Sequence, residues 1–377
     1  MRSPKTFLLS FCLSIAIAVS GQECDSVLTL IFTGDIMGHD GQLASARNDS
    51  TGEYEYDSVF RYIAPYISAA DIATGNLEVT LGGPPYRGYP AFSSPDELAV
   101  ACRNAGFDIL GTANNHSADR GSRGIFRTVR VLDSLEIRHT GTWQSPEERD
   151  ILSPLVICRD SLRIALLAYT YGTNGIVVPP PATVAYIDTV RAAADIRRAE
   201  WLDADLTVAF VHWGIEYDTL PSAGQKQTAA ALLRAGADII IGSHPHVVQP
   251  VTAEADTSGI RNPVVWSMGN FVSNQRTRRR DGGLMIRLDI AANRDNPVIS
   301  DAGYILTWVY TPVENGKKKF YILPCAEFEN KPDFFQTTED YDAMMLYVRD
   351  ARRLLDTHGK GFREMTLTGG KWTGTGL

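Results

Sequence analysis

The sequence predicts an α/β fold with a largely parallel sheet, and three observations support this class. Short apolar runs alternate with amphipathic segments of ten or more residues, as in successive βαβ units. Runs such as Leu206–Val211 are apolar throughout, which is typical of strands buried on both faces. The chain has 377 residues, 44% of them hydrophobic, which is enough to bury the core of one large α/β domain.

The predicted elements follow this alternation from residue 27 onward. Apolar residues recur at helical spacing in the helical segments, and Gly106 and Gly236 stand where two of the helices end. The predicted strands are Val27–Phe32, Phe107–Gly111, Arg163–Tyr169, Leu206–Val211, Ile239–Ile241 and Val264–Ser267. The predicted helices are Asp57–Ile67, Leu98–Ala105, Ile125–Leu135, Val190–Leu202 and Gly224–Ala235.

One type of segment occurs twice, at Asn104–His116 and at Arg234–His246. Each contains a helix that ends at glycine, an aspartate two residues later, a short apolar strand and a polar loop with a histidine. The spacing from the aspartate to the histidine is the same in both. We interpret the two segments as one supersecondary unit used twice.

The pattern changes after about Ala291. Tyr304–Tyr310 and Lys319–Leu323 flank Glu314-Asn315-Gly316, which favours a hairpin, and Tyr341–Leu355 has the periodicity of an amphipathic helix. We therefore expect a main domain at residues 27–291 and a hairpin-helix extension at residues 300–377.

The first residues have the pattern of a signal peptide. Arg2 and Lys5 precede the apolar stretch Phe7–Val19, and Ala18-Val19-Ser20 offers the small residues of a cleavage site. The stretch is shorter than the about 20 apolar residues that a spanning helix needs. We expect residues 1–21 to be removed and the chain to be exported to the periplasm, the cell surface or the medium. An uncleaved membrane anchor is the alternative.

Polar side chains that can bind a metal stand directly after the predicted strands. Ligands bind at the carboxyl ends of the strands in open α/β sheets. Imidazole, carboxylate and amide groups together suit divalent Zn, Mn or Fe. The residues at these positions are Asp35, Glu78, Asn115, His116, His212, His244 and His246. Taken singly, each could instead be a turn former or a hydrogen-bonded core residue, but their coincidence predicts a metal site.

The sequence His244-Pro245-His246 follows a predicted buried strand. On an extended backbone, side chains alternate, so both histidines would lie on one side and bind the same ion. Pro245 restricts the residue before it, which limits the conformational entropy lost on binding. The alternative is that Pro245 only ends the strand and one histidine faces solvent.

Several motifs together resemble the CapA family of poly-γ-glutamate capsule biosynthesis, within the calcineurin-like metallophosphoesterase superfamily. The motifs are Gly34-Asp35-Ile36-Met37, Asn76-Leu77-Glu78, Ala113-Asn114-Asn115-His116, His212-Trp213-Gly214, Gly242-Ser243-His244-Pro245-His246 and Ser267-Met268-Gly269-Asn270-Phe271. The resemblance covers about Leu28–Ile290. It implies a four-layer α/β/β/α sandwich of the metallo-dependent phosphatase type, with a metal centre at the strand ends.

The resemblance also implies roles for individual residues. It implies that His116 donates a proton or stabilises developing charge. Asp119 could orient the His116 imidazole, and its alternative role is a helix N-cap. Met37 stands where the superfamily has a histidine, and a thioether is a poor ligand for a hard metal. We therefore expect one or two ions of Mn, Zn or Fe. The implied ligands are Asp35, Glu78, Asn115, His212, His244 and His246.

Two segments are candidates for substrate binding. Arg276, Arg278 and Arg279 belong to a basic run after a motif loop and could receive an anionic substrate, although such runs are more often solvated loops. Asn174 lies in a loop that also resembles the family and is expected to line the pocket.

Three functions remain open on these grounds. The first is an exported metal-dependent hydrolase or transferase of capsule biosynthesis that acts on an amide-linked anionic polymer such as poly-γ-glutamate. The second is a metal-dependent phosphoesterase with a phosphorylated small substrate. The third is a non-catalytic polymer-binding or export component with a degenerate metal site. Membrane-associated capsule machinery is an expected partner, whereas the formal net charge of −8 argues against nucleic acid.

Overall fold

Strands and helices alternate along most of the chain. The structure is a computed structural model that describes residues 27–160, 162–257, 259–291 and 297–375. Its strands are β1 (Val27–Ile36), β2 (Ile72–Leu77), β3 (Ile109–Gly111), β4 (Arg138–Thr140), β5 (Thr142–Trp143), β6 (Leu155–Arg159), β7 (Leu162–Thr170), β8 (Thr183–Val184), β9 (Leu206–His212), β10 (Ile239–Ser243), β11 (Val251–Asp256), β12 (Gly259–Val265), β13 (Asn270–Val272), β14 (Gly282–Ala291), β15 (Val298–Tyr310), β16 (Val313–Glu314), β17 (Lys317–Lys318), β18 (Tyr321–Pro324), β19 (Arg363–Thr368) and β20 (Lys371–Gly374). Its α-helices are α1 (Asp40–Ala46), α2 (Ala64–Ile67), α3 (Glu97–Ala105), α4 (Gly121–Ser134), α5 (Pro146–Leu152), α6 (Thr189–Trp201), α7 (Ala223–Ala235), α8 (Cys325–Phe328) and α9 (Thr338–His358).

The main sheet has two halves. The first sheet half has the strand order β4-β3-β2-β1-β14-β15, and the second has the order β12-β10-β9-β7-β6. β1 to β4 are parallel to one another, as are β7, β9, β10 and β12, whereas β14 and β15 run antiparallel to their neighbours in the first half. The halves are joined where Ile260 of β12 pairs with Ile299 of β15. The sheet is therefore mixed, with a parallel block in each half.

The hydrophobic clusters show that the two halves pack face to face. The inner cluster combines Phe32 of β1 and Ile286 of β14 with Phe210 of β9 and Ile241 of β10, so it lies between the two halves. The adjacent residue Ile31 of β1 belongs instead to a first outer cluster, and strand alternation places it on the opposite face. The predicted four-layer α/β/β/α sandwich is therefore confirmed.

Helices cover the two outer faces of the sandwich. In the first outer cluster, Ile31 packs with Leu98 and Cys102 of α3. In the second outer cluster, buried residues of β9 pack with Ile196 of α6 and Leu232 of α7. These helices have one apolar face each, and burying that face against a sheet supplies most of their stability.

An aspartate precedes the start of a parallel strand at four places. In each case its carboxylate accepts a backbone N–H from the start of the neighbouring strand, at distances of 2.6 to 2.8 Å. The four residues are Asp71, Asp108, Asp205 and Asp238. These bonds satisfy donors at the amino ends of the strands and help to fix the register of the parallel blocks.

The repeated segment is found once in each sheet half. Gly106 and Gly236 follow α3 and α7, and both have φ of +107°, a left-handed conformation that favours glycine. Asp108 and Asp238 then form the strand-start bonds described above. The interpretation as one unit used twice is confirmed.

The prediction of one helix at Asp57–Ile67 is wrong. The segment forms a 3-10 helix at Asp57–Phe60 and the short helix α2. Pro65 has no backbone N–H to donate to the carbonyl four residues before it, and its ring crowds that carbonyl, so one continuous helix cannot form. Proline is tolerated where it stands, in the first turn of α2.

The C-terminal region is part of the main sheet as well as a hairpin and a helix. β15 pairs with β14 along its length, and β18 pairs antiparallel with β15. β16 and β17 form the tip of the predicted hairpin around Asn315 and Gly316, both with positive φ. α9 packs Met344 and Tyr347 into the inner cluster. This region therefore closes one side of the sandwich.

The predicted signal peptide at residues 1–21 lies outside the described residues. Within residues 27–375, apart from the gaps given above, none of the helices is both long and apolar enough to span a membrane.

Replacing Ile286 by alanine tests the packing of the two halves. Ile286 is fully buried in the inner cluster, so Ile286→Ala should lower the free energy of unfolding by about 2–5 kcal/mol. Urea unfolding measures the change. Val190→Ala, at a residue that is 79% exposed, should change it by no more than about 0.5 kcal/mol. Equal effects of the two substitutions would contradict a core between the halves.

Candidate metal centre

The carboxyl ends of parallel strands from both sheet halves meet at one buried site. Asp35 lies near the end of β1 and Glu78 directly follows β2, whereas His212 ends β9 and His244 and His246 follow β10. All five side chains are buried. Ligand atoms of Asp35, Glu78 and His212 lie within 4.8 Å of one another, as do those of Glu78, His244 and His246. Glu78 belongs to both groups and is the centre of the arrangement.

Hydrogen bonds orient Asp35 and His246. Asp35 Oδ1 accepts from Asn76 Nδ2 at 2.8 Å, and Asp35 Oδ2 lies 3.1 Å from His246 Nδ1. The same imidazole nitrogen lies 3.1 Å from Asn270 Oδ1. Because both oxygens are acceptors, His246 Nδ1 carries the proton and Nε2 is left to bind a ligand, 3.7 Å from Glu78 Oε1.

His212 is held on both of its nitrogens. Its Nδ1 lies 2.9 Å from Ser243 Oγ and its Nε2 lies 2.7 Å from Asn115 Oδ1. Asn115 Nδ2 in turn donates to Asn174 Oδ1 at 3.2 Å. The predicted ligand Asn115 therefore lies beside His212, and Asn174 lies next to Asn115 at the same end of the sandwich.

The backbone at His244 and His246 is not extended, which corrects the sequence expectation. The φ angles are +99° at His244 and +57° at His246, a region that residues other than glycine rarely adopt. The imidazole rings of His244 and His246 nevertheless lie at the same site, with centroids 5.9 Å apart. A tight turn rather than strand alternation brings them together, and such strained backbone is typical of functional sites.

Glu78 and His244 retain buried polar atoms that the protein does not satisfy. Neither carboxylate oxygen of Glu78 has a hydrogen-bond partner, and neither does Nδ1 of His244. Leaving a buried polar group without a partner costs roughly 1–3 kcal/mol, and more for a charged group. A divalent cation would satisfy these atoms at once, so the residues present fit a metal ion.

Burial shifts the pKa values of the ligand residues in opposite directions. The pKa of Glu78 is raised well above its ordinary value by burial and by the nearby Asp35 carboxylate. The pKa of His212 is lowered well below its ordinary value by burial and by the neighbouring histidines, and the pKa of His244 is lowered to about 4 for the same reasons. The imidazoles of His212 and His244 are therefore neutral near pH 6.5, as metal ligation requires.

His116 and Asp119 form a separate pair beside the ligands. His116 Nδ1 lies 2.7 Å from Asp119 Oδ2, which also accepts the backbone N–H of Phe92 at 2.6 Å. The Phe92 ring meets the His116 ring edge to face, with centroids 4.6 Å apart. Asp119 therefore fixes the orientation of His116, and its carboxylate does not cap helix α4, whose first turn has no side-chain cap.

The arginines predicted to bind substrate contact residues other than the candidate ligands. Arg276 stacks over the Trp308 ring, whereas Arg278 and Arg279 both pair with Asp350 of α9. Arg280, the last residue of the run, packs over an aromatic residue beside the metal centre. Its guanidinium lies 4.1 Å from the centre of the Tyr217 ring, which is itself 6.3 Å from the His246 ring.

Sequence reasoning missed several residues of the site. Asn76, Ser243 and Asn270 contact the ligands through the hydrogen bonds described above, and all three lie in the motifs that carry the family resemblance. Tyr171 is half exposed and its ring centroid lies 4.5 Å from that of His244. Its position after β7, at the same end of the sheet as His212, was the available signal.

Met37, at the position where a histidine was expected, and the nearby His39 have different surroundings. Met37 is buried in the first outer cluster, so its thioether belongs to the core. His39 Nδ1 accepts the backbone N–H of Asn274 at 3.3 Å, and its ring packs against Phe92. The fold therefore uses the Met37 position for packing.

The fold and the site together define a class of protein: a four-layer α/β protein with a candidate divalent-metal centre at the strand ends. The chain belongs to the family described as bacterial capsule synthesis protein PGA_cap, which matches residues 29–275. The matched span contains every predicted metal ligand. The family resemblance inferred from the sequence is confirmed.

Two relatives named for capsule or PGA biosynthesis align with most of the chain. Capsule biosynthesis protein CapA of Bacillus anthracis is 30% identical over 273 residues, which cover 68% of this chain and 63% of that protein. PGA biosynthesis protein CapA of Bacillus subtilis (strain 168) is 31% identical over 282 residues, covering 69% of this chain and 67% of that protein. The chain thus spans about two thirds of the length of these relatives.

Solved structures of phosphoesterases and nucleotidases are more distantly similar. The calcineurin-like phosphoesterase YfkN from Bacillus subtilis is 14% identical with a TM-score of 0.45, over 87% of this chain and 98% of that chain. The NAD nucleotidase NadN of Haemophilus influenzae is 12% identical with a TM-score of 0.47, over 87% of this chain and 61% of that chain.

Metal binding should release a proton from Glu78. Its raised pKa means that the metal-free carboxyl keeps a proton above its ordinary range, and a metal must displace that proton. Affinity for Mn²⁺ or Zn²⁺ should therefore fall as the pH falls through the pKa of Glu78. Glu78→Gln should weaken binding by at least about 100-fold, more than loss of an outer partner costs, and abolish this proton release. Calorimetry in buffers of different ionisation enthalpy measures both quantities.

Glu216→Gln is the matched control for this experiment. Glu216 is an exposed carboxylate four residues after His212, so its loss should leave most of the affinity and the proton release in place. Proton release that is the same in Glu78→Gln and in the unaltered protein would contradict the assignment.

Proposed function

We propose that this chain is an exported metal-dependent hydrolase or transferase of capsule biosynthesis that acts on an amide-linked anionic polymer such as poly-γ-glutamate. One observation carries the proposal: a carboxylate and three histidines surround Glu78, whose buried oxygens have no partner, in a chain of a capsule synthesis family. Export is supported by the signal-like pattern of residues 1–21.

The residues that would hold the ion are Asp35, Glu78, His212, His244 and His246, with Asn115 beside them. A divalent ion bound there supplies Lewis acidity and lowers the pKa of water toward neutrality. The protein's own contribution is to bury His212 and His244, which keeps them neutral, and to fix the orientation of the ligand side chains. Asn76 orients Asp35, Ser243 orients His212 and Asn270 orients His246 through hydrogen bonds.

His116 is the proposed general acid. Because Asp119 accepts the proton of Nδ1, Nε2 is the nitrogen that can deliver a proton to a leaving group or stabilise negative charge. Phe92 packs against the ring and its backbone N–H holds the Asp119 carboxylate in place. The pair is thus oriented from two sides.

A phosphoesterase activity is the second candidate. The two ligand groups share Glu78, and a shared carboxylate is suited to bridging two ions. Two-metal sites stabilise both the attacking and the leaving oxygen in phosphoryl transfer. This arrangement favours phosphoryl chemistry as the alternative to amide cleavage.

Assays with two substrates distinguish the candidates. The purified chain, loaded with Mn²⁺ or Zn²⁺, is incubated with poly-γ-glutamate and separately with p-nitrophenyl phosphate. Shortened or transferred polymer supports the first function, and phosphate release supports the second. Activity on neither substrate, with metal bound, would contradict both and leave a polymer-binding component.

His116→Gln should lower kcat by about 10²- to 10⁴-fold on the active substrate, because the proton donor is lost. Asp119→Asn should lower it by a smaller factor of about 10- to 100-fold, since the imidazole is kept but is no longer oriented by a carboxylate. Metal content should stay unchanged in both variants. Loss of metal together with activity would instead place His116 among the ligands.

A further inference from the structure

A cavity of about 310 Å³ lies between α9 and the loops that follow β9 and β13. Val248, Tyr347, Ala351 and Leu354 form an apolar part of its lining. Tyr347 is anchored by a hydrogen bond from its hydroxyl to the carbonyl of Gly283 at 2.6 Å. This part of the lining therefore rests directly on the main sheet.

Arginines form the cationic part of the same lining. Arg278 donates to both oxygens of Asp350, at 2.6 and 2.7 Å, and Arg279 donates to one of them at 3.3 Å. Arg353, one helical turn after Asp350, also lines the cavity. No carboxylate among the described residues lies within ion-pair distance of Arg353. Three cations therefore face one anion in a chain whose net charge is −8.

The cavity is next to the metal centre. Val248 follows His246 by two residues, so their Cα atoms are at most about 7 Å apart. The lining at Thr219 is fixed because Gln249 Nε2 donates to the carbonyls of Asp218 and Leu220, the residues on either side of Thr219. Arg280, the last residue of the basic run, lies over the Tyr217 ring, whose centroid is 6.3 Å from that of the His246 ring.

The combination of surfaces selects a chemical class of ligand. Arginine binds carboxylates through paired hydrogen bonds, and an apolar surface favours methylene groups over water. Inorganic phosphate would use the arginines but leave the apolar part uncovered. An aliphatic chain with carboxylates at intervals would use both.

We propose that this cavity is a binding subsite for the carboxylates of an extended aliphatic polyanion whose reacting bond lies at the metal centre. Arg353 is the main unpaired cation of the subsite, and Asp350 holds Arg278 and Arg279 in position. The proposal rests on the proposed function for the identity of the reacting bond, but the binding it describes does not require turnover.

The test compares Arg353→Gln with Arg197→Gln. Arg353 is exposed and pairs with no carboxylate in the part of the chain that the structure describes, so its replacement should leave the fold intact. Arg197 is an exposed residue of α6, on the outer surface of the second sheet half, and its replacement changes the net charge equally. Binding of a γ-linked oligoglutamate to the full chain is measured by calorimetry with chelator present, and again with Mn²⁺.

Arg353→Gln should raise the Kd for oligoglutamate by about 3- to 10-fold and weaken its dependence on salt, because one charged contact is lost. Arg197→Gln should change the Kd by less than about 2-fold, as expected for a distant surface charge screened by salt. A neutral oligoglutamine should bind weakly to all forms. Arg279→Gln should act in the same direction as Arg353→Gln.

Three results would overturn the subsite. They are equal effects of Arg353→Gln and Arg197→Gln, equal binding of oligoglutamine, and displacement of oligoglutamate by inorganic phosphate at equal concentration. Failure of the proposed function gives a different result, in which the contrast between variants remains but neither poly-γ-glutamate nor p-nitrophenyl phosphate reacts.

Discussion

Glu78 imposes the main constraint on this structure, because its buried carboxylate lies among ligand residues with no hydrogen-bond partner of its own. Each such unpaired group costs roughly 1–3 kcal/mol or more, and the left-handed backbone at His244 and His246 adds about 1–3 kcal/mol each. The inner cluster offsets these costs by burying apolar side chains from both sheet halves. A site of this kind persists because the surrounding core is large.

The two sheet halves make different contributions to the site. The first half provides the carboxylates Asp35 and Glu78, and the second provides the imidazoles of His212, His244 and His246. Acidic and neutral ligands therefore approach from opposite sides of the sandwich, and a bound ion would link the halves. The repeated helix-strand unit explains why equivalent loops are available in each half, since the same strand-start aspartate and helix-ending glycine occur in both.

The C-terminal region connects the site to a second surface. β15 continues the first sheet half and α9 closes the inner cluster, so this region is needed for the core as well as for the cavity beside it. Asp350 of α9 organises the arginines that follow β13. Through these contacts, helix α9 determines what lies next to the metal centre, although it supplies none of the predicted ligands.

The sequence by itself determined most of the elements and the set of candidate ligands. Strands and helices follow from local periodicity, and the carboxyl ends of parallel strands necessarily share one edge of a sheet, so polar residues after successive strands predict a common site. The one helix predicted wrongly, at Asp57–Ile67, contains Pro65, a local signal that outweighs apolar spacing.

Only the tertiary structure decided how these parts are combined. It placed antiparallel β14 and β15 within the first half, turned the backbone at His244 and His246, and selected Asn76 and Asn270 as partners of the ligands. It also paired Arg278 with Asp350, 72 residues away, instead of directing it at the metal centre. Such pairings depend on contacts between distant segments, and periodicity and spacing along the chain carry no information about them.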